Sequence, residues 1–242
     1  MRNIPTRVLL RIFLRTFFIG AAYNMRGLQN VGFMYAMAPG LAAIHATPQA
    51  CKQAMSRYVR NHNCHPFWTP LIAGMFLRTE AEIANGRMAE TSFTLLKDTA
   101  ANTLSAIGDS VFGGTALATW GLVCALLLAV NMPLAAAALT LFLFVALLLF
   151  KAATFAAGLR YGLSALLWLR RWDLINRGDW LKIVNAALLL LLLALLVPQK
   201  EQPALWAAAV CGTVLAAWLV GRAHIPRTAL ALVVALIFVF CL

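Results

Sequence analysis

Four polar side chains, Asp98, Asn102, Ser105 and Asp109, follow one another at steps of four, three and four residues. On a helix of 3.6 residues per turn this spacing sets them in one stripe, with Leu96, Ala100, Leu104, Ile107 and Val111 on the opposite face. The stripe runs into Gly108-Asp109 and Gly113-Gly114, where missing Cβ atoms allow turns and close backbone approach. The helix is expected to break there, with Gly108, Gly113 and Gly114 as the hinge. In lipid a broken helix is tolerated only where protein or a water-filled cavity satisfies the freed backbone groups. The stripe is therefore a candidate cavity lining, and the other reading is a surface helix with a C-terminal glycine cap. A carboxylate near the bilayer is costly, so Asp109 is expected to pair with freed N–H groups or with a cation, Lys97 or Lys151.

A second constellation is Asn61-His62-Asn63-Cys64-His65-Pro66. Two imidazoles flanking a thiol are the ligands zinc prefers. Three ligands within four residues rarely share one tetrahedral ion, however, and no second pair lies near. The stretch reads as a capped turn before Pro66 with His65 hydrogen-bonding locally, and no metal or cofactor is expected. A third is the polar set Asn24, Gln29 and Asn30, in one short span with Gly27, Gly32 and Gly40. Amides among small residues either join membrane helices or, for Gln29 and Asn30, face a polyol substrate.

The elements that position these groups follow from composition. The 242 residues are 62% apolar and 12% charged with a mean hydropathy of +0.82, far from a soluble domain. The class is an all-α integral membrane protein, a polytopic bundle with broken or re-entrant helices in its N-terminal half. Residues 1–115 hold eleven of the twenty Lys/Arg, five of the eight acids and three of the four His, while 116–242 is mainly apolar. The chain divides there. Its net charge of +12 is spread between apolar segments, which suits anionic lipid headgroups and excludes a basic nucleic-acid module. The five Cys sit singly and read as small core residues.

Arg7, Arg11 and Arg15 recur every four residues opposite Leu10, Phe13 and Phe17, a basic amphipathic helix for the cytoplasmic headgroup boundary. Arg11 and Arg15 interrupt what would be the apolar core of a secretory signal, so the helix is expected to be retained. Thr47-Pro48 has the form of a helix cap with proline at the first helical position. Residues 67–78 are apolar but too short to span, and the polar run 79–87 is expected to face water. Residues 116–150 are uncharged and about 52 Å long as helix, too long for one span of a hydrocarbon core of about 30 Å. Asn131-Met132-Pro133 divides them into two spans. Further spans are expected at 152–169, 183–197, 205–220 and 228–242. Arg170, Arg171, Arg177 and Lys182 mark one cytoplasmic connector and Arg222 with Arg227 another, leaving the C-terminus outside.

Three stretches together resemble a known family. Tyr23-Asn24-x4-Gln29-Asn30-x-Gly32-Phe33-x-Tyr35-Ala36, then Asn63-Cys64-His65-Pro66 with Pro70 and Gly74, then Ala106-Ile107-Gly108-Asp109-x2-Phe112-x-Gly114-Thr115 are similar to the signature stretches of the mannose/fructose/sorbose-type phosphotransferase system (PTS) IID component. Asn131, Phe144, Lys151 and the string Gly158-Leu159-Arg160-Tyr161-Gly162 extend the likeness over most of residues 8–165. The chain departs from the family pattern at Arg26-Gly27, at Cys64, at Thr103 and Ser110 in place of prolines, at Gly113 for a tryptophan and at Leu117 for an arginine. The polar insert near residue 200 is also short.

The resemblance implies a multi-pass subunit of the bacterial inner membrane, forming with a IIC subunit the path for a hexose, while IIA and IIB proteins carry the phosphoryl group. It implies a hetero-oligomer and no catalysis by this chain. Gln29, Asn30, Asn63, His65 and Asp109 are then the side chains expected to meet sugar or line the cavity. A divergent, non-transporting scaffold or regulator is the second reading. An intramembrane metalloenzyme using His62, Cys64 and His65 is the third.

Overall fold

The computed structural model describes residues 4–196 and, beyond them, helical positions 203, 204, 207, 208, 210–212, 214 and 215. The span expected at 228–242 and the connector with Arg222 and Arg227 lie outside the described residues. So does the short insert at 198–202. The span expected at 205–220 is described only at those scattered positions.

The N-terminal half is built of helices too short to cross a bilayer. The basic helix α1 (Thr6–Arg15) forms as its pattern predicts, with Ile12 turned inward, and tightens into a 3-10 segment, Thr16–Ala22. A compact turn at 23–29 leads into α2 (Asn30–Ile44). The 3-10 segment crosses α2 at Gly32, where any Cβ would collide with the Ile19 carbonyl. Helix α3 (Pro48–Ser56) starts as expected, with Thr47 Oγ1 accepting from Ala50 N at 3.2 Å. Helix α4 (Thr69–Ala84) is buried on nearly every side. Phe33, Met37, Leu41, Tyr58, Trp68, Phe76 and Phe93 close the core around it.

The second half rests on long helices. Helix α5 (Glu90–Gly108) continues through a π-helical segment, Asp109–Ala116, into α6 (Leu117–Ala129). A turn at residues 130–132, where the sequence places one, leads to α7 (Pro133–Tyr161). A short 3-10 turn, Gly162–Ser164, joins α7 to α8 (Ala165–Arg170), and α9 (Leu174–Leu196) follows. Three stretches, Glu90–Ala129, Pro133–Arg170 and Leu174–Leu196, are long and apolar enough to cross a membrane. The division of the chain at residue 115 falls inside the first of them.

Four expectations are corrected. The helix does not break at Gly108: its backbone stays helical through Gly108 and Asp109 and widens into the π segment. The wider turn is held from outside, because Asn185 of α9 donates from Nδ2 to the Thr115 carbonyl at 3.1 Å and its Oδ1 accepts from Thr119 Oγ1 at 2.7 Å. The run 79–87 does not all face water, since Thr79, Glu80 and Ala81 continue the buried face of α4. The span expected at 152–169 is no separate helix: residues 152–161 continue α7, and the rest fall in the 3-10 turn and α8. The span at 183–197 starts earlier, at Leu174, so Arg177 and Lys182 ride on α9, with Lys182 paired to Asp179 at 2.7 Å.

The two halves are locked where α4 crosses α7. A Cβ on Gly74 would strike the Phe155 carbonyl, and one on Gly158 would strike the Leu71 carbonyl. Each glycine thus admits the other helix's backbone into direct contact.

Candidate functional site

The three signature stretches converge on one junction. The turn at 23–29 is shaped by Asn24, whose Oδ1 accepts from Arg26 N and Gly27 N, and by Leu28, which takes a left-handed backbone with φ 58°. That turn docks on the loop after α3 through two backbone bonds, Gln29 N to His62 O at 2.9 Å and His62 N to Gly27 O at 3.2 Å. Gln29 Oε1 accepts from Cys64 N at 3.0 Å, and the buried Asn30 donates to the Val59 carbonyl while accepting from Asn24 Nδ2 at 2.9 Å. Gln29 through Oε1 and Asn30 through Nδ2 each hold a backbone group of the neighbouring loop. They are clamps of the junction.

The third stretch closes from the other side. Asn63 Nδ2 reaches Ser105 Oγ at 3.5 Å. Gly108, expected as a hinge, serves instead as a landing: a Cβ there would collide with His65 and Trp68. His65 Nδ1 accepts from Phe67 N at 3.3 Å, the local bond anticipated for it, and its ring stacks on Phe112 at 5.5 Å. Burial holds the half-buried His65 imidazole below its usual range, against the opposing pull of the Asp109 carboxylate. His62 is fully enclosed, its ring 3.9 Å from Phe33 and nearly parallel to it. Burial, aided by the charge of Lys97, drops its pKa from 6.5 to about 3. Cys64 is buried too, and burial followed by the Asp109 charge pushes its thiol well up. His62, Cys64 and His65 therefore point to three different surroundings rather than to one ion.

Asp109 stands at the open edge of this junction. It is exposed and makes no hydrogen bond or ion pair among the described residues. Neither cation foreseen as its partner takes that role. Lys97 is buried beside Asp98, 2.8 Å away, and Lys151 lies over the rings of Phe17 at 4.1 Å and Phe67 at 5.6 Å. Gly113 has nothing within 4 Å of where a Cβ would be, and Gly114 only the Asp109 carbonyl at 3.3 Å. Asn102, Thr103, Ala106, Asp109, Ser110, Gly113, Gly114 and Leu117 together form one exposed face.

A separate polar centre has no counterpart among the expected site residues. Glu80, fully buried on α4, accepts two bonds from Arg57, one from Tyr58 Oη at 2.9 Å and one from His45 Nε2 at 3.2 Å. Arg57 also reaches Glu90 at 2.7 Å. This network floors a cavity of about 460 Å³ between α3, α4 and the start of α5, which none of the five expected residues lines. The signal was present in the spacing: Glu80 lies three and four residues after Leu77 and Phe76, on the same helix face.

Among the described residues, an all-helical bundle with three long apolar helices and a densely packed junction of polar turns has the architecture of an integral membrane protein. The family model for the PTS mannose/fructose/sorbose family IID component matches residues 3–195, and the chain belongs to that family. It is 24% identical over 115 residues to the fructose permease IID component of Bacillus subtilis (strain 168), covering 47% of this chain and 42% of that protein. It is 29% identical over 106 residues to the mannose-specific EIID component of Escherichia coli (strain K12), covering 43% of this chain and 38% of that one. The chain thus spans about two fifths of the length of these relatives. Its fold is similar to that of a solved membrane protein with a TM-score of 0.68 and 22% identity, over 79% of this chain and 71% of the other. It is also similar to a chain in the cryo-EM structure of the mannose transporter ManYZ with microcin E492, with a TM-score of 0.60 and 19% identity over 98% and 96% of the two chains.

Proposed function

We propose that the chain is the IID membrane subunit of a mannose-family sugar permease in the bacterial cytoplasmic membrane. With a IIC-type subunit it forms the path of a hexose, and IIA and IIB proteins supply the phosphoryl group. The observation that carries this reading is Asp109, a carboxylate exposed within a membrane-length helix and without a hydrogen bond or ion pair among the described residues. A carboxylate at the bilayer centre costs about 2.5–3.5 kcal/mol and one nearer the edge less, a cost removed by a hydrated path or a partner subunit. The open Gly113 and Gly114 one turn further allow a partner helix to approach closely on the same side. The three described histidines support a transport role rather than a phosphocarrier role: His45 is tied to Glu80, His62 is enclosed, and His65 is packed on Phe112.

A non-transporting scaffold or regulator is favoured by one observation. Thr103, Ser110, Gly113 and Leu117, four of the departures from the family pattern, all lie on the exposed face beside Asp109. The junction departs from the pattern only at Arg26-Gly27 and Cys64, while the exposed face beside Asp109 departs at four positions.

Uptake of labelled hexose in cells expressing the chain with its encoded IIC, IIB and IIA proteins tests both readings. Asp109→Asn keeps shape and removes charge, and it is expected to impair uptake with the complex intact; Asp109→Leu impairs it further. Normal uptake in both variants would remove Asp109 from the path. No uptake by the wild type with every partner present would favour the scaffold.

A further inference from the structure

We infer that the groove between α1, the 3-10 segment and α2 is a seat for one anionic phospholipid, its phosphate held by Arg7 and Arg11 and an acyl chain laid along Leu10, Leu14 and Phe18. The groove encloses about 610 Å³, and the three arginines of α1 lie along it. They are spaced about 6 Å apart along the helix axis, the rise of four residues. Arg15 is already committed, donating to the Tyr35 carbonyl at 2.9 Å and covering the Tyr35 ring at 3.9 Å. Arg7 and Arg11 are exposed and make no hydrogen bond or ion pair among the described residues. A guanidinium presents a planar fork of donors suited to two oxygens of one phosphodiester, so two free forks one turn apart form a headgroup clamp.

The wall beside the clamp is apolar. Leu10, Leu14 and Phe18 are 56%, 53% and 64% exposed, an uncovered strip that leads away from the cations. A free phosphate would satisfy the arginines and leave this strip in water, whereas a phospholipid satisfies both. At ten residues α1 is about 15 Å long, too short to cross, so it rests along the interface where headgroups are found.

The test uses the full chain, purified with its IIC-type partner in mild detergent and stripped of lipid. Native mass spectrometry then compares retention of phosphatidylglycerol and phosphatidylcholine with identical acyl chains. Phosphatidylglycerol is expected to be retained about tenfold better. The Arg7→Gln/Arg11→Gln double variant is expected to lose that preference, and excess inorganic phosphate is expected not to displace the lipid. Equal retention of the two lipids by the wild type overturns the inference and needs no variant to assemble. An unchanged preference in the double variant, displacement by phosphate, or cross-linking of a Leu14→Cys variant to a partner polypeptide in place of lipid overturns it as well.

Discussion

Glu80 is a carboxylate with no access to water, and its hold on the fold comes from the charge it neutralises. Arg57 and Tyr58 at the end of α3 and His45 after α2 reach it from two other parts of the chain. Glu80→Ala leaves the Arg57 guanidinium buried with only the half-exposed Glu90 beside it, and breaking such a pair costs about 3–5 kcal/mol. Thermal unfolding of the purified complex is expected to show a correspondingly large loss, and Glu80→Gln a smaller one, because the amide still accepts from Tyr58. His62 makes a different prediction. Its native pKa of about 3 lies below the ordinary 6.5, so between those values the unfolded chain binds a proton that the folded chain refuses. Stability therefore falls as pH drops below 6.5, by ~2 kcal/mol at about pH 5. His62→Phe keeps the ring stacked on Phe33, and it is expected to flatten this acid limb in unfolding temperatures measured across pH. At this scale the sequence was legible where chemistry is local. The Thr47 cap and the His65 turn are short-range features. Glu80 was missed because it was read with Glu82 and Asn85 as one polar run, although residues two apart on a helix face opposite ways.

The helices show why some junctions could be read and others could not. The turn at 130–132 announces itself through Asn131 and Pro133. The continuity of α5, the π segment and α6 depends on Asn185, seventy positions beyond Thr115, so no local reading of the glycines could reveal it. The crossing of α4 on α7 likewise pairs Gly74 with a residue in the other half of the chain. Gly158→Leu places a side chain against the Leu71 carbonyl, an overpacking worth at least about 1–3 kcal/mol, and is expected to abolish recovery of folded protein. Gly113→Ala meets nothing within 4 Å inside this chain, so it is expected to leave the chain's own unfolding temperature unchanged. If the exposed face meets a partner helix, the same variant lowers recovery of the complex in pull-down.

Across the molecule the long helices leave large side chains uncovered, among them Leu134 at 85%, Phe142 at 68% and Trp180 at 72% exposed. Lipid covers such groups, but it does not suit Asp109 or Asn102 on the same surface. The chain is accordingly expected to be unstable alone and to co-purify with a IIC-type partner, which size-exclusion chromatography of cells expressing one or both subunits will measure. Recovery of a well-behaved monomer that ignores an encoded partner would count against this. Composition alone identified the membrane class, and the signature stretches identified the family. Their convergence on one junction had no sequence signal, because it is made of backbone bonds between two turns and of side-chain contacts between residues more than thirty positions apart.

The helix from Glu90 to Ala129 also works as a depth gauge. Twenty residues separate Asp109 from Ala129, at most about 30 Å at the α-helical 1.5 Å per residue and less through the wider π segment, close to the thickness of the hydrocarbon slab. Eighteen residues separate Pro133 from Lys151 on the returning helix, about 27 Å. With the turn at 130–132 resting at one boundary, both ionisable groups arrive together at the other, and Phe17, under the Lys151 ammonium, brings the end of the arginine helix to the same level. With both helices upright, the opposite charges, the aromatic ring and the end of the basic helix would share one plane parallel to the bilayer. Such a plane would be the waterline of the molecule, with the glycine-rich face beside Asp109 opening along it.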